Sequence, residues 1–319
     1  MGKYANNSSR SFNTLKHSKR AERSKRKMQS RFLILLICVV VIAILLALSI
    51  FFIMAIAHSD SPKSPKAGDQ TQEISYKEAT VSSDDLYTGD LLLVNAQHKY
   101  RFLEEDALVP ASTVSTAGCV KSSAIKANAE ALRAFDAMMK KYAEVFDTSD
   151  VWLTEAYRTE AEQKGKQFEP GYSDHHTGRL LTIEKKSGDG LPSDNWLYQN
   201  CYKYGFVVRY PAGKSAQTGV SNYDYAFRYV GVAHATYMQE HSLCLEEYVV
   251  LLQNNYASGE DLLHIDAADG NSYEVYYLRS LDGGGTTVSL PSNFSYTLSG
   301  DNTGSLIVTV NLGKTPEKE

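Results

Sequence analysis

The chain has 319 residues, of which 43% are apolar and 22% are charged, and its formal net charge is −4. This composition is ordinary for a globular protein, and the absence of any Cys-x-x-Cys pair argues against a zinc site of paired thiolates. Residues 1–31 hold ten Lys or Arg and one acid, a balance of +9, so the rest of the chain sums to −13. A basic tail before an acidic body indicates two different surroundings.

Residues 32–57 form an apolar run without a single charge. A helix of this length spans the core of a bilayer with some tilt, and its basic flank belongs on the cytoplasmic side. The end of the run also resembles a signal-peptide cleavage site, but the run is about twice as long as an ordinary signal-peptide core. We therefore predict a single-pass protein of the cell membrane, with a cytoplasmic tail at 1–31 and an extracytoplasmic body. Topology and anionic lipid explain the basic tail, so no nucleic-acid partner is expected.

The first elements after the span are predicted from polarity and period. Residues 58–87 are polar with little to bury, which is typical of a linker. A short apolar strand is expected within 88–100. The strongest helix is predicted at 121–146, where apolar residues recur every three or four positions, and a strand follows at 151–159.

The second half of the chain changes character near residue 263. Before it, helical and extended patterns alternate. After it, strand-like segments are separated by Gly-rich or Asp-Asn turns, at 272–281, 283–291, 294–300 and 305–312. We predict an α+β domain at 88–262 and a small β module at 263–319. Cys119, Cys201 and Cys244 lie outside the span, an odd number that implies no complete disulfide framework and leaves the pairing open.

Four motifs occur in order within the predicted domain. They are AYRTEAEQ (156–163), SDHHTGRLL (173–181), YGFVVRYPAGK (204–214) and FRYVGVAHA (227–235). Together they resemble the VanY-type D-alanyl-D-alanine carboxypeptidases, over about residues 88–262. The resemblance implies an α+β zinc-peptidase core of the VanY/LAS type that removes the terminal D-Ala from peptidoglycan stem peptides. An anchored body outside the membrane suits that substrate.

The resemblance also places the zinc site. The family pattern Ser-x-His-x-x-Gly-x-Ala-x-Asp aligns with Ser173, His175 and Gly178, and its Asp position falls on Thr182. The pattern Glu-x-Trp-His, read back from Phe-Arg-Tyr-Val-Gly, puts Tyr223 at the position of the catalytic Glu and Ala226 at the position of the His. Two of three zinc ligands and the catalytic base are therefore replaced, since a neutral hydroxyl is a poor zinc ligand.

What remains resembles a vestigial pocket made of Arg158, Gln163, Ser173 and His175. In the family the arginine is expected to contact substrate, and a guanidinium suits a peptide carboxylate. The alternative for Arg158 is a surface ion pair with Glu155 or Glu160. We expect His175 to be a hydrogen-bonded histidine, with metal binding as the alternative.

Four further residues of the motifs are expected to lie outside the zinc site. His176 is expected to face solvent. His234 is expected to cap or pack at a strand–helix junction, and Arg228 and Tyr229 to be structural.

Three functions follow from these residues. The first is a non-catalytic, membrane-anchored member of the family that binds stem peptides ending in D-Ala, or partner enzymes of the cell wall. The second is an active metallocarboxypeptidase whose ligands have moved, with Asp224 or His234 joining His175. The third is an adaptor that uses the edge strands of the β module. No cofactor is expected for the first and third, and zinc for the second.

Overall fold

The computed structural model describes residues 73–103, 108–114, 119–148, 150–188, 195–221, 223–258, 261–279, 281 and 286–315, without the side chain of Asp224. The predicted tail at 1–31, the predicted span at 32–57 and the first part of the predicted linker lie outside these residues. No helix within the described part of the chain is both long and apolar enough to cross a bilayer. Residues Glu73–Glu319 form one compact unit.

The unit combines helices and strands throughout its length. The helices are α1 (Ala129–Phe146), α2 (Glu160–Gln163), α3 (Trp196–Asn200), α4 (Ser215–Thr218), α5 (Val232–Glu240) and α6 (Leu245–Asn255). The strands are β1 (Tyr76–Val81), β2 (Leu108–Pro110), β3 (Lys126–Asn128), β4 (Val151–Glu155), β5 (Leu180–Lys185), β6 (Phe206–Tyr210), β7 (Tyr223–Tyr229), β8 (Leu263–Asp266), β9 (Asn271–Leu278), β10 (Thr286–Pro291), β11 (Ser295–Gly300) and β12 (Leu306–Lys314). The predicted α+β class is observed.

The central sheet has the strand order β4-β5-β7-β6, and all its neighbouring strands are antiparallel. Helix α1 belongs to the same core, with Leu132, Phe135 and Met139 completely buried. The helix was predicted to begin at 121 but begins at 129, because β3 pairs with β2 just before it. The Asn128 side chain then accepts hydrogen bonds from two backbone N–H groups of the first turn and fixes the start of the helix.

A second sheet, of order β11-β12-β9-β8, packs on α5 and α6. Its buried residues, such as Val275 and Ile307, share one core with Met238 of α5 and Leu252 of α6. The strands predicted for 263–319 are thus present, but they complete a core that the preceding helices begin. Removing residues 263–319 would expose the apolar faces of both helices and would destabilise the unit.

Two sequence predictions differ from the structure at the start of the unit. The predicted linker at 58–87 ends too late, because β1 lies within it and pairs along its whole length with β10. The sequence of this strand carries little strand signal, because four of its six residues are exposed and only Val81 is buried. The predicted strand within 88–100 is instead an irregular segment, with one isolated bridge from Asn95 to His98. Its residues Leu91–Val94 are nevertheless buried.

Candidate vestigial zinc-peptidase site

The segment that carries the two adjacent histidines is a buried turn between α2 and β5. Residues Asp174–Thr177 form one turn of 3-10 helix, and Gly178 ends it with φ 67°. A glycine is needed there, because a Cβ atom would lie 2.6 Å from a methyl carbon of Leu108 and would force a strained backbone. The Gly178 carbonyl accepts a hydrogen bond from Asn128 N at 2.9 Å, which ties the turn to the start of α1.

His175 is held as a neutral imidazole with one nitrogen turned toward β5. Its Nδ1 lies 2.5 Å from the carbonyl oxygen of Ala156, so Nδ1–H donates and Nε2 is the unprotonated atom. Burial, with Arg158 nearby, lowers the pKa of His175 to about 4. A carbonyl-bound Nδ1 with an open Nε2 is the orientation that a zinc-ligating histidine needs. Here the Nε2 atom lies 3.5 Å from the hydroxyl of Thr182.

The structure brings the three predicted ligand positions together. Thr182 on β5 is paired directly with Ala226 on β7, and His175 reaches Thr182 from the turn. The alignment of the motifs is therefore spatially consistent. The donors do not fit a hydrolytic zinc ion, which needs three nitrogen, sulfur or carboxylate ligands and an open position. The methyl group of Ala226 offers no donor, and no cluster of three His, Cys, Asp or Glu occurs in the described part of the chain.

The position predicted for the catalytic glutamate belongs to an aromatic cluster. Tyr223 lies opposite Tyr210 in the sheet, with ring centroids 5.6 Å apart, and Tyr225 lies 4.7 Å from Tyr223. Ala226 and Tyr210 belong to one small apolar cluster, against which Phe168 packs. No group in this cluster can take a proton from water near neutral pH as a glutamate does.

Of the two interpretations of Arg158, the structure shows the ion pair, and the pocket role stays a prediction. Arg158 pairs closely with Glu155 through Nη2, yet only 11% of its side chain is exposed. Its Nη1 donates to Gln163 Oε1 at 3.1 Å, and Gln163 in turn donates to the Phe168 carbonyl at 2.9 Å. The buried Nε of Arg158 has no hydrogen-bond partner in the part of the chain that the structure describes. The predicted ion pair with Glu155 is confirmed, and Glu160 is not part of it.

Ser173 is the second predicted pocket residue with an unsatisfied atom. It is fully buried, and none of the described residues forms a hydrogen bond with its hydroxyl. A buried polar group without a partner costs free energy, so such atoms in a folded protein call for an explanation. The backbone N–H of Arg158 donates to the His175 carbonyl at 3.3 Å, so the strand end and the turn that carry these residues are joined.

The prediction for His176 is wrong, because its side chain is 1% exposed. The prediction assumed an extended segment, in which adjacent side chains face opposite sides, whereas the segment is a 3-10 turn. His176 Nδ1 lies 2.7 Å from the carbonyl oxygen of Arg158, and Nε2 accepts from the N–H of Gly171 at 3.0 Å. Its ring stacks with Tyr100, at a centroid distance of 6.0 Å. His176 therefore braces the backbone around Arg158.

Asp174, between Ser173 and His175, is a structural residue that sequence reasoning missed. Its completely buried carboxylate accepts from Arg209 Nε at 2.6 Å and from Arg228 Nε at 3.0 Å. Arg209 also forms a bidentate pair with Glu246 of α6, at 2.8 and 3.0 Å. Burial alone would raise the pKa of the Asp174 carboxyl, but the two guanidinium groups lower it overall. The predicted structural role of Arg228 is confirmed.

The candidates for relocated metal ligands fare differently. His234 uses both ring nitrogens, with Nδ1 2.8 Å from the Tyr248 hydroxyl and Nε2 2.9 Å from the Thr309 hydroxyl. It joins α5, α6 and β12, so its predicted packing role is confirmed and a ligand role is wrong. The side chain of Asp224 lies outside the described residues. The three described cysteines are buried and none is in a disulfide.

The antiparallel central sheet, the turn that carries His175 and the pair of Thr182 with Ala226 together define a peptidase-like α+β domain. The model of the family "VanY: D-alanyl-D-alanine carboxypeptidase" matches residues 137–232, which include His175, Thr182 and Ala226. Residues 137–232 thus carry a domain of the VanY D-alanyl-D-alanine carboxypeptidase family model, and the resemblance of the motifs to this family is confirmed.

The relatives agree with this assignment. A D-alanyl-D-alanine carboxypeptidase of Enterococcus faecium is 28% identical over 273 residues, which cover 81% of this chain and 86% of the relative. One of Enterococcus faecalis (strain ATCC 700802 / V583) is 42% identical over 85 residues, covering 25% of this chain and 31% of the relative. The crystal structure of the vancomycin resistance D,D-dipeptidase VanXYg with a D-Ala-D-Ala phosphinate analog has a TM-score of 0.65 at 25% identity, covering 74% of this chain and 99% of that one. This chain is therefore similar to cell-wall D-alanyl-D-alanine carboxypeptidases.

Proposed function

We propose that this protein binds peptidoglycan stem peptides that end in D-Ala, and that it does so without zinc-dependent hydrolysis. One observation carries the proposal. The position where zinc would sit is framed by His175, but it is completed by Thr182 and Ala226, whereas the arginine that suits a peptide carboxylate is retained and buried. Recognition and hydrolysis need different residues, and only those for recognition remain.

The remaining pocket residues suit a ligand with a carboxylate and amide groups. Arg158 offers planar N–H donors that match a carboxylate. Ser173 provides a hydroxyl that has no partner among the described residues, and a ligand amide would satisfy it. His175 stays neutral at physiological pH, since its pKa is lowered to about 4, so it adds no charge that would compete with Arg158.

The proposal includes the place of action. The apolar run at 32–57 and the basic residues before it support a single-pass anchor in the cell membrane, with the cytoplasm on the side of residues 1–31. The folded unit then lies outside, where stem peptides are exposed. Partner enzymes of the wall remain a prediction from the sequence.

Rebuilding the zinc site of the family tests the proposal directly. The triple variant Thr182→Asp, Ala226→His and Tyr223→Glu restores the ligand and base types, and we expect it to bind zinc at one equivalent while the parent binds none. Adding His175→Ala to the triple variant is the matched control, and it should lose the metal again. Zinc content is measured on dialysed protein by atomic emission. Stoichiometric zinc in the parent, lost in its own His175→Ala variant, would refute the proposal and favour relocated ligands.

A further inference from the structure

Glu155 is the carboxylate next to the proposed pocket, and the family resemblance gave it no role. It ends β4, where the pairing with β5 shifts register, and it lies opposite Thr182. One oxygen, Oε2, accepts from Arg158 Nη2 in a close ion pair. The other, Oε1, lies 3.2 Å from Lys166 Nζ. Glu155 is thus shared between a buried arginine and an exposed lysine.

We propose that Glu155 is a specificity-determining cap, an internal carboxylate that occupies Arg158 until a ligand carboxylate displaces it. This inference rests on the proposed function, because it concerns the same carboxylate site. It adds a residue and a competition that the binding proposal does not contain.

The geometry of the guanidinium carries the argument. A carboxylate is held best by two parallel N–H groups, such as the side-on pair formed by Nε and Nη2. In Arg158, one N–H of Nη1 is used by Gln163 and one of Nη2 by Glu155, while Nε is buried and has no partner among the described residues. The nitrogen without a partner therefore lies beside the nitrogen that Glu155 holds. A ligand carboxylate on the side-on pair of Nε and Nη2 competes with Glu155 at Nη2, and the two carboxylates repel each other there.

Lys166 gives the displaced carboxylate a place to go. Its side chain is 47% exposed and already contacts Glu155, whose side chain is 36% exposed. After displacement Glu155 keeps one cationic partner and gains water, so its charge is not left buried and unpaired. The charged partners that the described residues offer Glu155 are cations, Arg158 and Lys166.

The cap has a consequence for selectivity. A ligand without a carboxylate cannot replace Glu155 as the partner of Arg158, so the cap disfavours the binding of neutral peptide ends. A charged peptide end replaces one carboxylate by another and adds the unused Nε donor. Neutralising Glu155 should therefore strengthen the binding of carboxylates, and it should leave neutral ligands unaffected.

Isothermal titration of the full-length chain in detergent tests this, with the dipeptide D-Ala-D-Ala and its C-terminal amide as probes. We expect Glu155→Gln to bind the dipeptide on the order of tenfold more tightly than the parent, which corresponds to about 1.4 kcal/mol, with no change for the amide. Glu160→Gln removes the same charge from a nearby residue that does not contact Arg158, and its Kd should stay within about twofold of the parent.

A second variant guards against misfolding of the first. Lys166→Met changes an exposed side chain and removes the second partner of Glu155, so the dipeptide should bind a few-fold more weakly. Equal dipeptide affinity in the parent and Glu155→Gln would overturn the cap while leaving the proposed function intact. If neither protein binds the dipeptide, both the cap and the proposed function fail. Tighter amide binding by Glu155→Gln would show general opening of the site and would also overturn the cap.

Discussion

Replacing Asp174 by Asn should destabilise the protein strongly, although Asp174 contacts no proposed ligand group. The carboxylate is completely buried between the Nε atoms of Arg209 and Arg228. An amide of the same size has one acceptor oxygen, and its NH2 group would face a guanidinium donor. Arg209 would keep its bidentate pair with Glu246, but Arg228 would be left with the backbone carbonyls of Tyr229 and Leu92.

The magnitude follows from this imbalance. Breaking a buried ion pair by removing one partner costs about 3–5 kcal/mol, because an uncompensated charge stays buried. In a folded unit of this size, 1 kcal/mol lowers the thermal midpoint by about 2–4 °C, so the expected fall is roughly 6–20 °C. This is a large part of the stability of an ordinary domain.

The assay is thermal unfolding of the full-length chain followed by near-ultraviolet circular dichroism. Glu144→Gln is the matched control, since it makes the same chemical change in the exposed pair with Lys141, and its midpoint should move by less than about 1 °C. A fall below about 2 °C for Asp174→Asn would contradict the reasoning. It would mean that the two arginines are not held by this carboxylate.

Three further predictions concern the same region. Stability should be full above about pH 6.5 and fall as the pH drops toward 4, because the pKa values of buried His175 and His234 are lowered to about 4. The unfolded chain binds their protons first, which lowers the free energy of unfolding by about 3 kcal/mol for each histidine. A flat profile of the urea midpoint between pH 7 and about pH 4 would contradict this prediction. Ser173→Ala should stabilise the ligand-free protein by about 1 kcal/mol, by removing an unsatisfied hydroxyl, while weakening dipeptide binding; lower thermal stability would contradict it. Gly178→Ala should lower the free energy of unfolding by about 1–3 kcal/mol more than Gly165→Ala, because both residues have positive φ but only the Cβ atom at 178 would meet neighbouring atoms. Equal losses of stability in urea unfolding would refute this packing argument.

Motif spacing predicted the part of the site that depends on strand register. Counting from His175 and from Phe227 placed Thr182 and Ala226 at ligand positions, and the structure pairs these two residues directly. This works because residues in a regular strand alternate faces with a fixed period, so position in sequence gives position in space.

The rest of the site depends on contacts that spacing does not encode. His176 was misplaced because one 3-10 turn replaces extended backbone, and such a short turn has no periodic signal. Asp174 was missed because its partners Arg209 and Arg228 lie 35 and 54 residues away. The sequence predicted a pair of Glu155 with Arg158, but the proposed role also needed the contact of Glu155 with Lys166 and the Nε of Arg158, which has no partner among the described residues.

The most direct test of the account measures peptide binding and D-Ala release on the same full-length protein, with zinc and with a chelator. A pentapeptide that ends in D-Ala-D-Ala should bind with the same Kd in both conditions and release no D-Ala, and Arg158→Gln should weaken binding on the order of tenfold or more. Release of D-Ala that requires zinc and stops with chelator would contradict the central claim that this fold keeps recognition and has lost the zinc chemistry.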